Sequence, residues 1–324
     1  MKLCIPIVVK PEGGMYTFIG NLTKWLTAHA VPHTTSLDDV FDVLFVNSWA
    51  VAPRIVERVK RAHPQVKVVQ RVDGSAEDYG GNPESDRAQA RVNLFADLTI
   101  FQSEYSKHST RDKFRLIAQD GPVIYNPVDS RQFAPDGPRL DLPPGRPLVA
   151  CASWSVNRRK GTWQVDQLAA GHPGVSFVLC GRFEGIADRA NVIRLGHLDR
   201  EAMAAALRSC DVFLNLSEND PCPNVVLEAL ASGLPVLYRD SGGVRELVGD
   251  CGLPIDGVGF AAALDQVLAE RPLLSARARE RVQARFTPDQ VFPRYLAAIE
   301  AAARRPPPST LRRLQLRASG YPVL

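Results

Sequence analysis

The chain predicts an α/β protein built from two successive parallel-sheet domains. Three observations carry that prediction. Apolar runs of strand length alternate with segments of helical period along most of the chain. The alternation stops once, between Phe133 and Pro147, where five prolines and two glycines fall together, and then restarts. Between Cys210 and Ile255 the order is strand, polar loop, helix, strand, glycine loop, helix. That connectivity belongs to a parallel sheet whose ligands gather at the carboxyl ends of the strands. A chain of 324 residues with 45% hydrophobic content can bury two such cores.

In order, Leu3 to Val9 reads as the first strand, followed by Pro11-Glu12-Gly13-Gly14 and a helix with Phe18, Leu22, Trp25 and Leu26 on one face. A glycine pair between strand and helix lets backbone approach a phosphate or sugar, and a tight structural turn would use the same residues. Val43–Asn47 and Val66–Gln70 are buried-strand candidates with a helix over 52–62 between them. Arg71-Val72-Asp73-Gly74 lies just past the second, where α/β proteins place functional groups. Residues 75–86 are polar and read as a mobile loop. A helix over 89–96, a strand over 97–102, a helix ending near Phe114 and a short strand Val123-Ile124-Tyr125 complete the first half.

The second half opens with a strand over 148–152 and the basic cluster Arg158-Arg159-Lys160 before Gly161. Strands over 175–179 and 192–195 follow, the latter leading into Gly196-His197, and then a helix over 201–208. In the central stretch CDVFLNLS is a buried strand, and a helix runs from about Pro223 to Ser232 with Gly233 past its end. A strand over 234–238 and the Ser241-Gly242-Gly243 loop come next. Helices over 260–269, 271–285 and 288–303 close the chain before Pro306-Pro307-Pro308. Two carboxylates stand out: Asp220 at a strand's carboxyl end and Glu228 among Val225, Val226, Leu227, Ala229 and Leu230. Glu228 is either a structural carboxylate satisfied by nearby donors or an acceptor for a vicinal diol such as a ribose.

Composition excludes several classes. No apolar run approaches the ~18 residues of a membrane span, and MKLCIPIVVK is too short for a signal segment. Six cysteines, at 4, 151, 180, 210, 222 and 251, lack CxxC spacing, which argues against a zinc site or disulfide framework and for a reducing cytoplasm. The net charge of +4 resides in the end of the chain, where Arg304, Arg305, Arg312, Arg313 and Arg317 stand without an acid. This tail reads first as a solvated terminus and second as a weak peripheral membrane contact; no nucleic-acid partner is expected. The sequence is silent on oligomeric state.

The central stretch resembles the GT-B glycosyltransferases and, among them, the retaining family 4, the glycosyl transferases group 1. The resemblance rests on Asp220-PCPNVVL-Glu228-AL-Ala231-Ser-Gly233-Leu-Pro235-Val236 and on Gly242-Gly243-Val-Arg-Glu246. Gly13-Gly14, Asn126-Pro127-Val128-Asp129, Lys160-Gly161 and Gly252-Leu253 occur in the family's order. It implies an α/β GT-B fold of two Rossmann-like βα domains facing each other across a cleft. Their expected bounds are 1–135 (acceptor side), a linker over 136–147 and 148–287 (nucleotide-sugar side). A helix over 288–305 returns to the first domain, and 306–324 is the basic tail.

The resemblance further implies retaining transfer of a hexose-type sugar from a nucleoside-diphosphate sugar, UDP before GDP, to a hydroxyl of a small molecule or glycan. Carried over by position, Glu228 binds the ribose and Asp220 contacts the transferred sugar, with a side chain one methylene shorter than the family's glutamate. Gly13 and Gly14 face the diphosphate, and Lys160 neutralises it. The family's arginine position holds Trp154, so Arg158 or Arg159 is the expected substitute, and Asp73 stands where the family has a histidine. Gly196, His197 and Leu198 lie in the base-reading segment, and Pro223, Asn224 and Val225 open the helix that meets the donor. No Asp-x-Asp motif is suitably placed, so no metal or other cofactor is expected. A glycoside hydrolase is rejected because one carboxylate sits in an apolar helix beside phosphate-type loops. The alternatives are a GT-B sugar-phosphate enzyme and a non-catalytic nucleotide-sugar-binding module.

Overall fold

The computed structural model describes residues 1–10, 13–114, 121–143 and 147–305, so the expectation for the tail over 306–324 lies outside the described residues. The chain forms two compact units. Among the described residues, one comprises Met1–Glu77, Gly81–Ile124 and Phe292–Arg305; the other comprises Asp78–Gly80 and Tyr125–Val291.

The first unit holds β1 (Leu3–Cys4), α1 (Gly14–Ala28), β2 (His33–Thr34), β3 (Val43–Asn47), α2 (Pro53–Ala62), β4 (Lys67–Val72), α3 (Pro83–Asn93), β5 (Leu98–Phe101) and α4 (Glu104–Phe114). Its five strands are parallel in the order β2-β1-β3-β4-β5. Strand β1 is shorter than the expected run because Pro6 carries no N–H for a ladder, and Ile7 N–H turns back to donate to the Ile5 carbonyl. Helix α3 starts well before the expected 89, since the Asn82 side chain accepts from Glu84 N–H and Pro83 occupies the first turn. The last four residues of the expected mobile loop, 83–86, are therefore helix, and 75–82 are not. Tyr125 is not part of a strand, and Val123 makes only a bridge to Phe101.

The second unit holds β6 (Leu148–Ser153), a 3-10 turn at Arg158–Lys160, α5 (Thr162–Gly171), β7 (Ser176–Gly181), β8 (Val192–Gly196), α6 (Arg200–Arg208), β9 (Val212–Asn215) and α7 (Asn224–Ala231). Beyond these come β10 (Val236–Tyr238), α8 (Val244–Val248), β11 (Gly252–Pro254), α9 (Phe260–Ala269) and α10 (Arg271–Arg285). Six parallel strands run β11-β10-β9-β6-β7-β8, the dinucleotide-fold order, so strand order reverses between β6 and β9. Alternate residues of β9 serve the two faces of this sheet. Phe213 joins a core with Leu227, Val236 and Phe286, while Val212 and Leu214 join another with Phe177, Leu237 and Phe260. Burial on both faces explains the uninterrupted apolar strands of this half.

The proline-rich stretch is not a free linker where it is described. The Arg208 guanidinium donates to the carbonyls of Gln132, Ala134 and Pro138, and Leu140 N–H donates to Ser209 Oγ. These bonds tie the stretch to the end of α6, and it lies within the Tyr125–Val291 segment of the second unit. Helix α11 (Pro288–Arg304) carries Pro293 within it, and from Phe292 its residues belong to the first unit. There Phe292 and Tyr295 pack on Phe18 at ring distances of 5.9 and 5.2 Å.

Candidate active site

The reversal of strand order leaves a crevice at the carboxyl ends of β6 and β9, and the loops that leave these strands carry the charged residues. After β6 the chain runs through the 3-10 turn to Gly161, at φ 68, where a Cβ would overlap the Leu216 carbonyl of the β9 loop. Glycine alone lets the two loops approach so closely. Lys160 Nζ then donates to Asp220 Oδ2 at 3.0 Å, with the lysine side chain 21% exposed and Asp220 buried. Asp220 is further fixed by Cys222 N–H, which donates to Oδ1 at 3.3 Å. Its main-chain carbonyl accepts from Gly243 N–H at 2.9 Å. Gly242, at φ 72, passes so near that any Cβ would overlap the Asp220 backbone.

Helix α7 begins two residues beyond Cys222. Pro223 is its N-cap, one position earlier than the expected first turn, and Asn224 and Val225 open the helix. Asn126 Nδ2 donates to Asn224 Oδ1 at 2.7 Å and to the Cys222 carbonyl at 3.3 Å, which gives the Asn126-Pro127 segment a structural reason. Glu228, one turn below Asn224, is half-buried, and no described residue donates a hydrogen bond to its carboxylate. Burial pushes its pKa up to about 7, against a downward pull from the nearby Arg200. A desolvated carboxylate without a protein donor is what an incoming diol would satisfy.

Gly196 ends β8 at φ 68, and His197 meets Trp154 edge to face at 5.2 Å, with Leu198 half-buried against the same core. The second unit thus brings together Lys160, Asp220, the start of α7 and Glu228, with Gly196, His197 and Leu198 on the neighbouring side of the sheet. The first unit holds Gly13, Gly14 and Asp73. Gly13, at φ 117, is the N-cap of α1.

Neither arginine of the basic cluster is held beside Asp220. The Arg158 guanidinium lies over the Trp163 ring at 4.9 Å, and Arg159 donates to Glu218 Oε2 at 2.8 Å. Glu218 also accepts from Arg239, and its N–H donates to the Arg159 carbonyl. In the first unit Asp73 accepts from Arg71 and from Asn47 Nδ2, so much of its acceptor capacity is engaged. Sequence reading passed over Glu218 with Arg239 and over Tyr79, whose hydroxyl donates to Asp220 Oδ2 at 3.0 Å. The available signal for Tyr79 was its being the one aromatic residue in the polar stretch over 75–86. Among the described residues, no three His, Cys, Asp or Glu side chains gather as a metal site, and no helix is long and apolar enough to cross a membrane.

The family model for glycosyl transferases group 1 matches residues 151–270, which contain all of these second-unit groups except Tyr79 and Asn126. The chain is 32% identical over 266 residues to a GDP-mannose-dependent alpha-mannosyltransferase of Mycolicibacterium smegmatis, covering 73% of this chain and 68% of the relative. It is 34% identical over 206 residues to a protein of the same name from Mycobacterium tuberculosis, covering 57% of this chain and 51% of that one. Among solved structures, Anabaena HepE in complex with UDP superposes with a TM-score of 0.69 at 16% identity, covering 93% of this chain and 99% of HepE. That likeness is one of fold.

Proposed function

The chain belongs to the glycosyl transferases group 1 family, and on that premise we propose that it is a retaining glycosyltransferase whose second unit binds a nucleoside-diphosphate sugar. The observation that supports this reading best is the Lys160–Asp220 pair at the strand-order reversal, with Glu228 on the helix that follows. Bond breaking between the anomeric carbon and the phosphate oxygen gathers negative charge on the departing diphosphate. Lys160 and the open N–H groups at the start of α7 are placed to stabilise it. Glu228 accepts from the ribose hydroxyls, and Asp220 contacts the sugar. Asp73, already paired to Arg71, orients a hydroxyl and does not act as a base. Charge stabilisation by Lys160 makes a metal unnecessary in this reading.

The donor base moves from the expected uridine to guanosine, because both mannosyltransferases named above are GDP-mannose-dependent. The acceptor is a hydroxyl of a small molecule or glycan. Incubation with GDP-mannose and with a UDP-hexose, without acceptor, tests the proposal. Slow release of free GDP is expected, and GDP should raise the melting temperature more than UDP by mass action. Binding without turnover would favour a nucleotide-sugar-binding module instead, and a larger shift with UDP would return the donor to uridine.

A further inference from the structure

Tyr79 belongs to the second unit, and its seat is built from the two loops that carry Lys160 and Asp220. Asn157, three residues before Lys160, donates through Nδ2 to the Tyr79 carbonyl at 2.7 Å. Asn219, the neighbour of Asp220, donates through Nδ2 to the Asp78 carbonyl at 3.0 Å. Asn219 adopts a φ of 58 to do so and donates its own N–H to Ser241 Oγ. The tyrosine main chain is thus held from both sides of the strand-order reversal.

The side chain touches both charges. Its hydroxyl donates to Asp220 Oδ2 at 3.0 Å, the oxygen that also accepts from Lys160 at 3.0 Å. Its ring face lies 5.0 Å from Lys160 Nζ, within the range of a cation–π contact. Burial, reinforced by the Asp220 carboxylate, pushes the phenol well above its ordinary pKa, so it remains a donor.

We propose that Tyr79 is the positioning residue of the donor site: its hydroxyl sets the Asp220 carboxylate, and its ring sets the Lys160 ammonium. The proposal rests on the function given above for the identity of the donor, and on the geometry alone for the positioning. Its consequence is a division of labour. As Lys160 turns its charge toward a departing diphosphate, Asp220 retains two neutral donors, Tyr79 and Cys222 N–H, and keeps its place. Without Tyr79, the carboxylate would follow the lysine.

Two substitutions separate the parts: Tyr79→Phe removes the hydroxyl and keeps the ring, and Tyr79→Ala removes both. Tyr79→Phe should lower kcat about tenfold with donor KM within about threefold, and Tyr79→Ala should lower it about a hundredfold. Melting curves confirm that each variant is folded. In an Asp220→Ala background, Tyr79→Phe should cost nothing further, because its effect passes through the carboxylate. An equal cost in both backgrounds, or near-normal kcat in both tyrosine variants, overturns the proposal. A second readout is independent of turnover. In protein with 13C-dimethylated lysines, with Lys160 assigned through Lys160→Arg, the Lys160 signal should move downfield in Tyr79→Ala and hold in Tyr79→Phe, as ring-current shielding is lost or kept. A signal unmoved by Tyr79→Ala overturns the positioning even if transfer is robust. A moved signal in a protein that turns over no donor upholds the positioning and removes the proposed function.

Discussion

The two units each place a basic–acidic pair at the carboxyl end of a parallel sheet, and the pairs differ in how their donors are used. In the first unit Arg71 is 1% exposed, and its guanidinium donates to Tyr295, Asn47, Gln102 and Asp73 while its face lies 4.0 Å from the Phe18 ring. Asn47 stands opposite Arg71 in the β3–β4 register, and Tyr295 comes from α11, so this arginine ties helix to sheet. In the second unit Lys160 is 21% exposed and donates to Asp220 alone among the described residues. An ammonium carries three donors, so two remain for a ligand. On the proposed function, the saturated cation builds structure and the unsaturated one serves the chemistry.

The sharpest way to break this comparison is Lys160→Ala. Removing one electrostatic donor from a leaving group typically costs about 10²–10³ in turnover, with donor KM much less affected. Near-normal kcat with only a raised KM would mean uniform binding and would move the leaving-group role elsewhere. Arg71→Met should show the opposite signature. Removing a buried guanidinium from the acceptors Tyr295, Asn47 and Gln102 leaves buried polar groups unpaired and costs about 3 kcal/mol of stability, read from denaturant midpoints. In the folded fraction kcat should fall only a few-fold, because Asn47 Nδ2 still holds Asp73. A large kcat loss at full stability would make Arg71 part of the chemistry.

Glu228 gives the next effect. Glu228→Gln should weaken GDP at least ~10-fold, because an amide replaces an acceptor of charge-assisted bonds. The sign with pH follows from a folded pKa raised to about 7. The folded protein binds a proton that the unfolded chain has already released, so Glu228 takes stability away as pH rises from the ordinary carboxylate range to about 7. If Glu228 accepts from the ribose as proposed, binding needs the ionised form, so GDP affinity should climb from about pH 6 to about pH 8, and the climb should vanish in Glu228→Gln. Calorimetry in buffers of different ionisation enthalpy reads the proton released; a flat profile in the wild type would remove the ribose assignment.

Smaller effects should come from the flanking arginines. Arg159→Ala releases Glu218, which Arg239 still holds, and should cost turnover only a few-fold, about 1 kcal/mol or less for a partly exposed pair. Arg158→Ala should change less again. A loss at either arginine comparable to that of Lys160→Ala would identify it as the second phosphate cation. The smallest effect should come from EDTA, which is expected to leave turnover unchanged; loss restored by magnesium or manganese would refute a site served by Lys160 alone.

What could be read in the sequence was whatever depends on neighbours along the chain. The doubly covered strands β6, β7 and β9 announce themselves as apolar runs, and Lys160, Asp220 and Glu228 lie at fixed offsets from those strands and from Gly161 and Gly233. What could not be read depends on partners far away. The Arg159–Glu218–Arg239 bridge joins three separate loops, and its geometry decides that Arg159 faces a carboxylate. Tyr79 reaches Asp220 across 141 residues, and Arg208 claims the proline-rich stretch from about 70 residues further along. The two-residue β2 is too short to carry a pattern. The start of helix α3 falls at 83 and not at the expected 89 because its polar first turn, capped by Asn82, looks like a loop until the cap is seen.

The close passage of Gly242 against the Asp220 backbone has a consequence for how the site tolerates change over generations. The acid itself can vary in length and still be an acid. The glycine cannot accept even a methyl group without moving Asp220, because the atoms it would strike are main chain and have no rotamer to retreat to. A narrow gate on variation in this site therefore stands at a residue that has no side chain of its own. A lineage that lost Gly242 would lose the acid's position long before it lost the acid.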